Sequence, residues 1–203
     1  MGRKMYDLLI KNGLVIDGTG AAGFRASVAV SGDRVAAVGQ IDTPARRTVD
    51  ASGLAVAPGF IDLHTHSDFQ FFVDPAADSK VTQGVTTELV GNCGMRFCGP
   101  LTGSAGEDLD TRLAWYDTNW RPSWTSFAGY MDALDRAPKP LNVVTQVGHG
   151  TVRKVVLGMD TRAPDAGELK RMQSLVAEAL DAGALGFSSG LSMAPGVYSL
   201  TPE

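Results

Sequence analysis

The sequence predicts an α/β fold in which a small β module leads into a parallel sheet of right-handed βαβ units. Three observations carry this expectation: short apolar runs broken by turn pairs fill residues 6–57, Pro58-Gly59 ends that pattern, and strand-like runs then alternate with helical ones. In order, Leu8–Ile10, Leu14–Ile16, Ser27–Val30, Val35–Val38 and Leu54–Ala57 are expected as strands, with turns at Asn12-Gly13, Asp17-Gly18 and Gly32-Asp33. Asn, Asp and Gly tolerate the positive φ that tight turns demand. Phe60-Ile61-Asp62-Leu63-His64-Thr65-His66 follows as one apolar-led strand of the kind buried in a parallel sheet. A short helix is expected over Pro75–Gln83, a strand over Val85–Val90, a loop-rich stretch over Gly91–Pro122, a helix over Ser126–Arg136 and a strand over Val143–Val147. The Asp165–Ala182 helix is marked most fully. Asp165 and Glu168 form a capping box, Leu169, Met172, Val176 and Leu180 fall at helical spacing, and Gly183 stands at the stop. Ala184–Ser188 reads as the last strand. The domains expected are residues 1–57 and 58–203. About four strands fit between Phe60 and Ser188, whereas a closed (β/α)8 barrel needs eight and roughly 250 residues. Thr201-Pro202-Glu203 has the residues that open a further helix, so the chain is expected to stop inside an element.

Composition narrows the function classes. With 203 residues, 44% apolar and 20% charged, the chain can bury a core. Its 18 basic and 22 acidic residues give a net charge of −4, which offers nucleic acid or an anionic membrane no polycationic surface. A small-molecule partner is expected instead. Met1–Ile10 holds only a three-residue apolar run before Lys11, unlike a signal peptide or a span, and Tyr6 stands where myristoylation needs Ser or Thr. Two cysteines without an export signal argue against a disulfide framework and for a cytoplasmic location.

Chemistry concentrates in two short elements. In a strand, residues i and i+2 share a face, so His64 and His66 can present two imidazoles to one metal ion. They are two of only three histidines in the chain. A pair of hydrogen-bonded structural histidines is the competing reading, and the position at the end of an apolar strand, where parallel folds place their chemistry, favours metal. Cys93, in Gly91-Asn92-Cys93-Gly94, follows the next strand and can add a thiolate to make a mixed nitrogen and sulfur zinc site. A buried inert thiol, and a Cys-His nucleophile pair with His64 or His66 as base, remain open alongside it. Cys98 reads as bystander packing. Asp62 alternates away from the histidine face, and Asp68 reads as a loop cap or a partner that holds the ligands.

Taken together, Asp7-Leu8-Leu9-Ile10-Lys11-Asn12-Gly13, Ala57-Pro58-Gly59-Phe60-Ile61-Asp62-Leu63-His64-Thr65-His66, Gln83-Gly84-Val85-Thr86-Thr87 and Gly91-Asn92-Cys93-Gly94 resemble the amidohydrolase superfamily and, within it, the N-acyl-D-amino-acid deacylases, or D-aminoacylases. The resemblance runs on through Gly148-His149-Gly150-Thr151, Gly186-Phe187-Ser188-Ser189-Gly190-Leu191 and Ala194-Pro195-Gly196-Val197-Tyr198. It implies a TIM-like (β/α)8 barrel with a small β-sandwich drawn from both chain ends. Residues 1–57 would be part of that sandwich and 58–203 the first half of the barrel, completed by a missing C-terminal half. It also implies one or two zinc ions, with His64 and His66 as ligands and Cys93 as the thiolate that replaces the carboxylated lysine of hydantoinases and dihydroorotases. Two later histidines and the general-base aspartate would lie beyond Glu203. The reaction implied is hydrolysis of an N-acyl-D-amino acid, in which zinc activates water and polarises the acyl carbonyl. Another amidase of the superfamily is the enzymatic alternative, disfavoured by Cys93, and an inactive truncated product is the other. His149, Ser189 and Tyr198 are candidate substrate contacts, with Ser188 a further pocket-lining residue. Met193 and Met95-Arg96-Phe97-Cys98 depart from residues usual in relatives and bear on substrate preference. Trp115, Trp120 and Trp124, in an expected loop over Asp108–Ser126, read as packing on the barrel flank, with a lid as the alternative.

Overall fold

A computed structural model describes residues 5–94, 97–116 and 118–203. These divide into two compact units, Met1–Gly59 and Phe60–Glu203. No helix is long and apolar enough to cross a membrane among the described residues.

The first unit is a single sheet of β1 (Tyr6–Val15), β2 (Phe24–Ser31), β3 (Arg34–Gly39), β4 (Ala45–Asp50) and β5 (Ala55–Val56). Its order is β3-β2-β1-β4, with β5 also on β1. Gly32-Asp33 turns β2 back into β3 as expected. Asn12-Gly13 does not turn the chain. Asn12 takes φ 63° inside one continuous strand, and the pairing with β2 slips between Ile10 and Gly13. The positive φ that suits a hairpin suits a bulge equally, which explains the difference. β4 was not expected, because Ala45-Arg46-Arg47-Thr48-Val49-Asp50 is exposed along nearly its whole length and shows no alternation; it is held by parallel pairing with β1. Leu9 and Ala29 are fully buried at the centre of this unit.

The second unit is α/β. Four strands, β6 (Phe60–Asp62), β7 (Val85–Val90), β8 (Asn142–Gly148) and β9 (Gly186–Ser188), lie side by side in chain order and run parallel. The crossovers carry α1 (Gln70–Val73), α2 (Asp78–Val81), α3 (Ser104–Leu113), α4 (Phe127–Arg136), α5 (His149–Leu157) and α6 (Ala166–Asp181). Val90 and Val147 of the sheet pack against Val152 of α5, Tyr130 and Leu134 of α4, and Met172, Leu175 and Ala179 of α6. In α6, Asp165 Oδ1 accepts the Glu168 N–H at 2.8 Å and Glu168 Oε2 accepts the Asp165 N–H at 2.8 Å. The capping box is therefore formed as read. The buried face is centred on Met172, Leu175 and Ala179, and Leu180 stays 45% exposed.

Other expectations are corrected. The strand expected over Phe60–His66 ends at Asp62, whose Oδ1 accepts the His64 N–H at 3.1 Å and turns the chain off the ladder. The helix expected over Pro75–Gln83 shortens to α2, with α1 ahead of it. The loop-rich stretch contains α3, so the loop expected over Asp108–Ser126 begins only after Leu113. His149 opens α5, a helix that the sequence pattern does not predict. That helix is buried on nearly all sides, which removes the amphipathic period that would have revealed it. Trp124 is buried, and Trp120 stacks on Phe72 at 4.9 Å with an interplanar angle of 8°, in keeping with flank packing. Trp115 stays exposed under the Arg112 guanidinium, 4.7 Å from the ring centroid.

Candidate metal centre

The candidate site lies just past the C-terminal ends of β6 and β7, where a parallel sheet exposes the loops that carry side chains for chemistry. After β6 the chain is pinned at Thr65. Its N–H and its hydroxyl both donate to the Leu89 carbonyl of β7, each at 3.2 Å, and the side chain is buried. His64 and His66 flank this anchor, both exposed, with ring centroids 5.4 Å apart and planes at 79°. They thus come together as the two neighbours of one anchored residue in a bend, not as strand positions sharing a face.

Cys93 arrives from β7. It sits in a single 3₁₀ turn over Asn92–Gly94 with φ 59° and ψ 23°, a left-handed conformation uncommon outside glycine. Its Sγ lies 3.1 Å from His64 Nε2 and 3.9 Å from His66 Nε2. One ligand atom from each of the three residues falls within 4.8 Å of the others. Bond lengths of about 2.0–2.1 Å to nitrogen and 2.3 Å to sulfur place tetrahedral zinc ligands about 3.6 Å apart across an N···S edge. The observed separations straddle that value, and two imidazoles with a thiolate are a donor set that zinc accepts. The residues present fit the ion.

What holds this turn is a set of buried or half-buried polar groups. Asp68 Oδ1 accepts the Gly91 N–H at 2.7 Å and the Cys98 thiol at 3.0 Å. Asn92 Nδ2 donates to the Leu89 carbonyl at 2.8 Å and to the Thr65 carbonyl at 3.3 Å, tying the cysteine turn to the residue between the histidines. From β9, Ser188 Oγ accepts the Gly94 N–H at 3.1 Å and donates to the Gly91 carbonyl. Beneath them the Tyr130 hydroxyl donates to the Asp68 backbone carbonyl at 2.9 Å, and burial pushes its pKa well above the ordinary tyrosine value, so it remains a neutral donor. Gly190 lies so close that a Cβ there would overlap the Cys93 carbonyl oxygen. Below His64, the Lys80 ammonium, 2.8 Å from Asp62 Oδ2, holds the Asp62 carboxyl below the usual carboxylate range, with the His64 N–H adding to it. Lys80 also lies 3.4 Å from the fully buried Glu88.

Cys98 is therefore more than the bystander expected, since its thiol engages Asp68. Thr65, Asn92 and the bridging role of Ser188 escaped sequence reasoning; for Thr65 and Asn92 their place inside the histidine and cysteine elements was the available signal, whereas Ser188 bridges groups 94 and 97 positions away and had none. Ser189 is exposed with its Cα next to Gly94, and Tyr198 is half-buried in the Gly196–Tyr198 turn, whose Gly196 backs onto Gly190. His149 is buried and directed elsewhere: its Nε2 lies 3.1 Å from Glu203 Oε1, which Arg153 also engages at 3.2 Å. Met193 is exposed, and Phe97 packs edge-on against Phe69. Met95 and Arg96 lie outside the described residues. Two cavities, of about 580 and 400 Å³, open between the helices, and neither is lined by His64, His66 or Cys93.

Comparison with known proteins places this geometry among relatives. The amidohydrolase family model matches residues 47–202. The chain is 40% identical over 196 residues to the N-acyl-D-glutamate deacylase of Alcaligenes xylosoxydans xylosoxydans, covering 96% of this chain and 39% of that protein. It is 40% identical over 199 residues to the D-aminoacylase of the same organism, covering 98% of this chain and 40% of that one. The crystal structure of N-acyl-D-glutamate deacylase from Bordetella bronchiseptica, complexed with zinc and a phosphonate inhibitor, superposes with a TM-score of 0.83 at 38% identity, over 97% of this chain and 41% of that one. The chain thus spans about two fifths of the length of these relatives.

Proposed function

This chain belongs to the amidohydrolase family, and from that premise we propose that His64, His66 and Cys93 hold zinc for the hydrolysis of N-acyl-D-amino acids to a D-amino acid and a carboxylate. The observation that carries the proposal is the convergence of two imidazole nitrogens and one thiol sulfur within 4.8 Å at the C-terminal edge of a parallel sheet. β6 to β9 are then the first four strands of a (β/α)8 barrel, and the first unit is part of its β-sandwich. When bound, zinc lowers the pKa of a water toward ~7 and polarises the acyl carbonyl.

The chain's own residues do the holding. Thr65 fixes the backbone between the two histidines, and the exposure of both rings leaves a face open to a small acylated substrate. Cys93 supplies a thiolate where hydantoinase-like relatives would use a lysine, which favours the deacylase reading over that branch. Asp62 is committed to Lys80 and to the His64 N–H, and Asp68 to the Gly91 N–H, so neither moves the proton. The proton carrier and the remaining ligands are assigned to the three fifths of the relatives' length that this chain does not span. Ser189 and Tyr198, near the cysteine turn, are the substrate contacts proposed within it.

The test is metal content, and, in a polypeptide that spans the relatives' full length, hydrolysis of N-acetyl-D-glutamate against its L isomer, in wild type and in His64→Ala, His66→Ala and Cys93→Ala. Each substitution should lower zinc below the wild-type stoichiometry and abolish D-selective hydrolysis. Unchanged zinc content in all three would overturn the site.

A further inference from the structure

We propose that Ser188 is a positioning residue for Cys93: its hydroxyl ties both ends of the cysteine turn to β9 and so fixes where the thiolate meets the metal. The inference rests on the metal reading of His64, His66 and Cys93. A non-glycine residue persists in the left-handed region only where its surroundings over-determine it, and Cys93 stands at φ 59° and ψ 23°. The residues on either side of it are the ones held. Asp68 accepts the Gly91 N–H, along with the Cys98 thiol, and so holds one flank, while the Asn92 side chain donates to the Leu89 carbonyl at the end of β7 and to the Thr65 carbonyl. Ser188 alone among these reaches both flanks of the cysteine, accepting the Gly94 N–H at 3.1 Å and donating to the Gly91 carbonyl. That uses the one proton and one acceptor lone pair of a single hydroxyl, so no shorter or apolar side chain can replace it.

The contact spans the sheet. Ser188 ends β9, the turn follows β7, and β8 runs between them. The reach is possible because the chain after β9 presses on the turn: a Cβ at Gly94 would come within 2.6 Å of the Gly190 nitrogen, and one at Gly190 would overlap the Cys93 carbonyl oxygen. Packing thus sets the height of the turn over the sheet, and the Ser188 hydroxyl sets its rotation. Losing the hydroxyl frees two peptide groups next to the sulfur without removing any apolar contact. The expected consequence is a misdirected thiolate in a folded protein.

Cobalt(II) in place of zinc reads this directly, since a ligating thiolate gives a near-ultraviolet sulfur-to-cobalt charge-transfer band. Metal titrations of wild type, Ser188→Ala, Ser188→Thr and Cys93→Ala, alongside their thermal midpoints, form the test. Ser188→Ala should lose about 10–100-fold in metal affinity, the range typical when a group that orients a ligand is removed. Its charge-transfer band should weaken or shift while the melting midpoint stays close to wild type. Ser188→Thr, which keeps the γ-hydroxyl, should retain both affinity and band. A Ser188→Ala protein with wild-type affinity and band overturns the role of Ser188, as does one that only melts earlier, or a folded Ser188→Thr that loses as much affinity as the alanine variant. A wild-type protein without the band, or with the same spectrum in Cys93→Ala, overturns the metal reading itself.

Discussion

At the scale of single residues, Cys93 sets a stability cost against a chemical use. Its left-handed backbone costs on the order of 1 kcal/mol or more for any residue with a Cβ, and glycine escapes that cost. Cys93→Gly and Cys93→Ala should therefore separate the two roles. Both should lose the metal, but the glycine variant should be more stable than the alanine variant by on the order of 1 kcal/mol, because the left-handed penalty of a Cβ outweighs the larger unfolded-state entropy of glycine. Denaturant melts of the two without metal check it, and equal midpoints would mean that the turn relaxes out of the left-handed region once the sulfur is gone. The side chains with chemistry were legible in the sequence because imidazole and thiol are rare and their placement after apolar strands is a pattern. The groups that aim them were not. Ser188 lies 94 and 97 positions from the Gly94 and Gly91 groups it bridges, and no local spacing announces a contact that only the order of the strands creates. Thr65 and Asn92 stood in plain view inside the motifs, yet they act through backbone carbonyls, which residue identity does not reveal.

At the scale of elements, legibility followed how much of each element's cause is local. α6 was readable because its capping box, its apolar spacing and its terminal glycine all lie within its own residues. α5 was hidden by burial on nearly every side, β4 by its exposure, and β6 was overdrawn because the hydrogen bond from the His64 N–H to Asp62 cuts the strand short. The start of α6 also carries a pH signature. Two Arg162 nitrogens, 2.6 and 2.7 Å from the Glu168 carboxylate, together with the Asp165 N–H, lower the Glu168 pKa from 4.5 to about 2. A depressed folded-state pKa means stabilisation that is complete above the unfolded value and disappears as the pH falls through the folded one. The difference in melting midpoint between wild type and Glu168→Gln should accordingly be constant above pH 4.5 and shrink as the pH is lowered toward 2. The pair is solvent-exposed on the arginine side, so the difference should be small and reduced by salt. A difference that does not change with pH would show that the glutamate caps α6 without contributing its charge.

At the scale of the whole molecule, the parallel sheet is the feature that asks for more protein. Sheets of this kind are covered on both faces, yet Phe60, Ile61 and Leu63 at the β6 edge and Leu185 beside β9 are each more than 60% exposed, and Phe187 of β9 is 48% exposed. Full burial of one such side chain stabilises by about 1.5–3 kcal/mol. Covering all five would therefore contribute on the order of 10 kcal/mol, comparable with the entire stability of an ordinary domain. An edge strand with its peptide groups unpaired adds a template for association. The 203-residue polypeptide produced by itself should bind a hydrophobic dye such as ANS and elute well above its 21.4 kDa monomer mass, and replacing Phe60 and Leu185 with lysine should reduce both signals. Both substitutions lie at the sheet margins, away from the cysteine turn, so metal affinity should survive them wherever the unit stays folded. If the chain instead runs as a dye-silent monomer with one sharp unfolding transition, four strands suffice for a stable unit, and the site at their C-terminal ends would have to be judged on the three candidate ligands that it brings together.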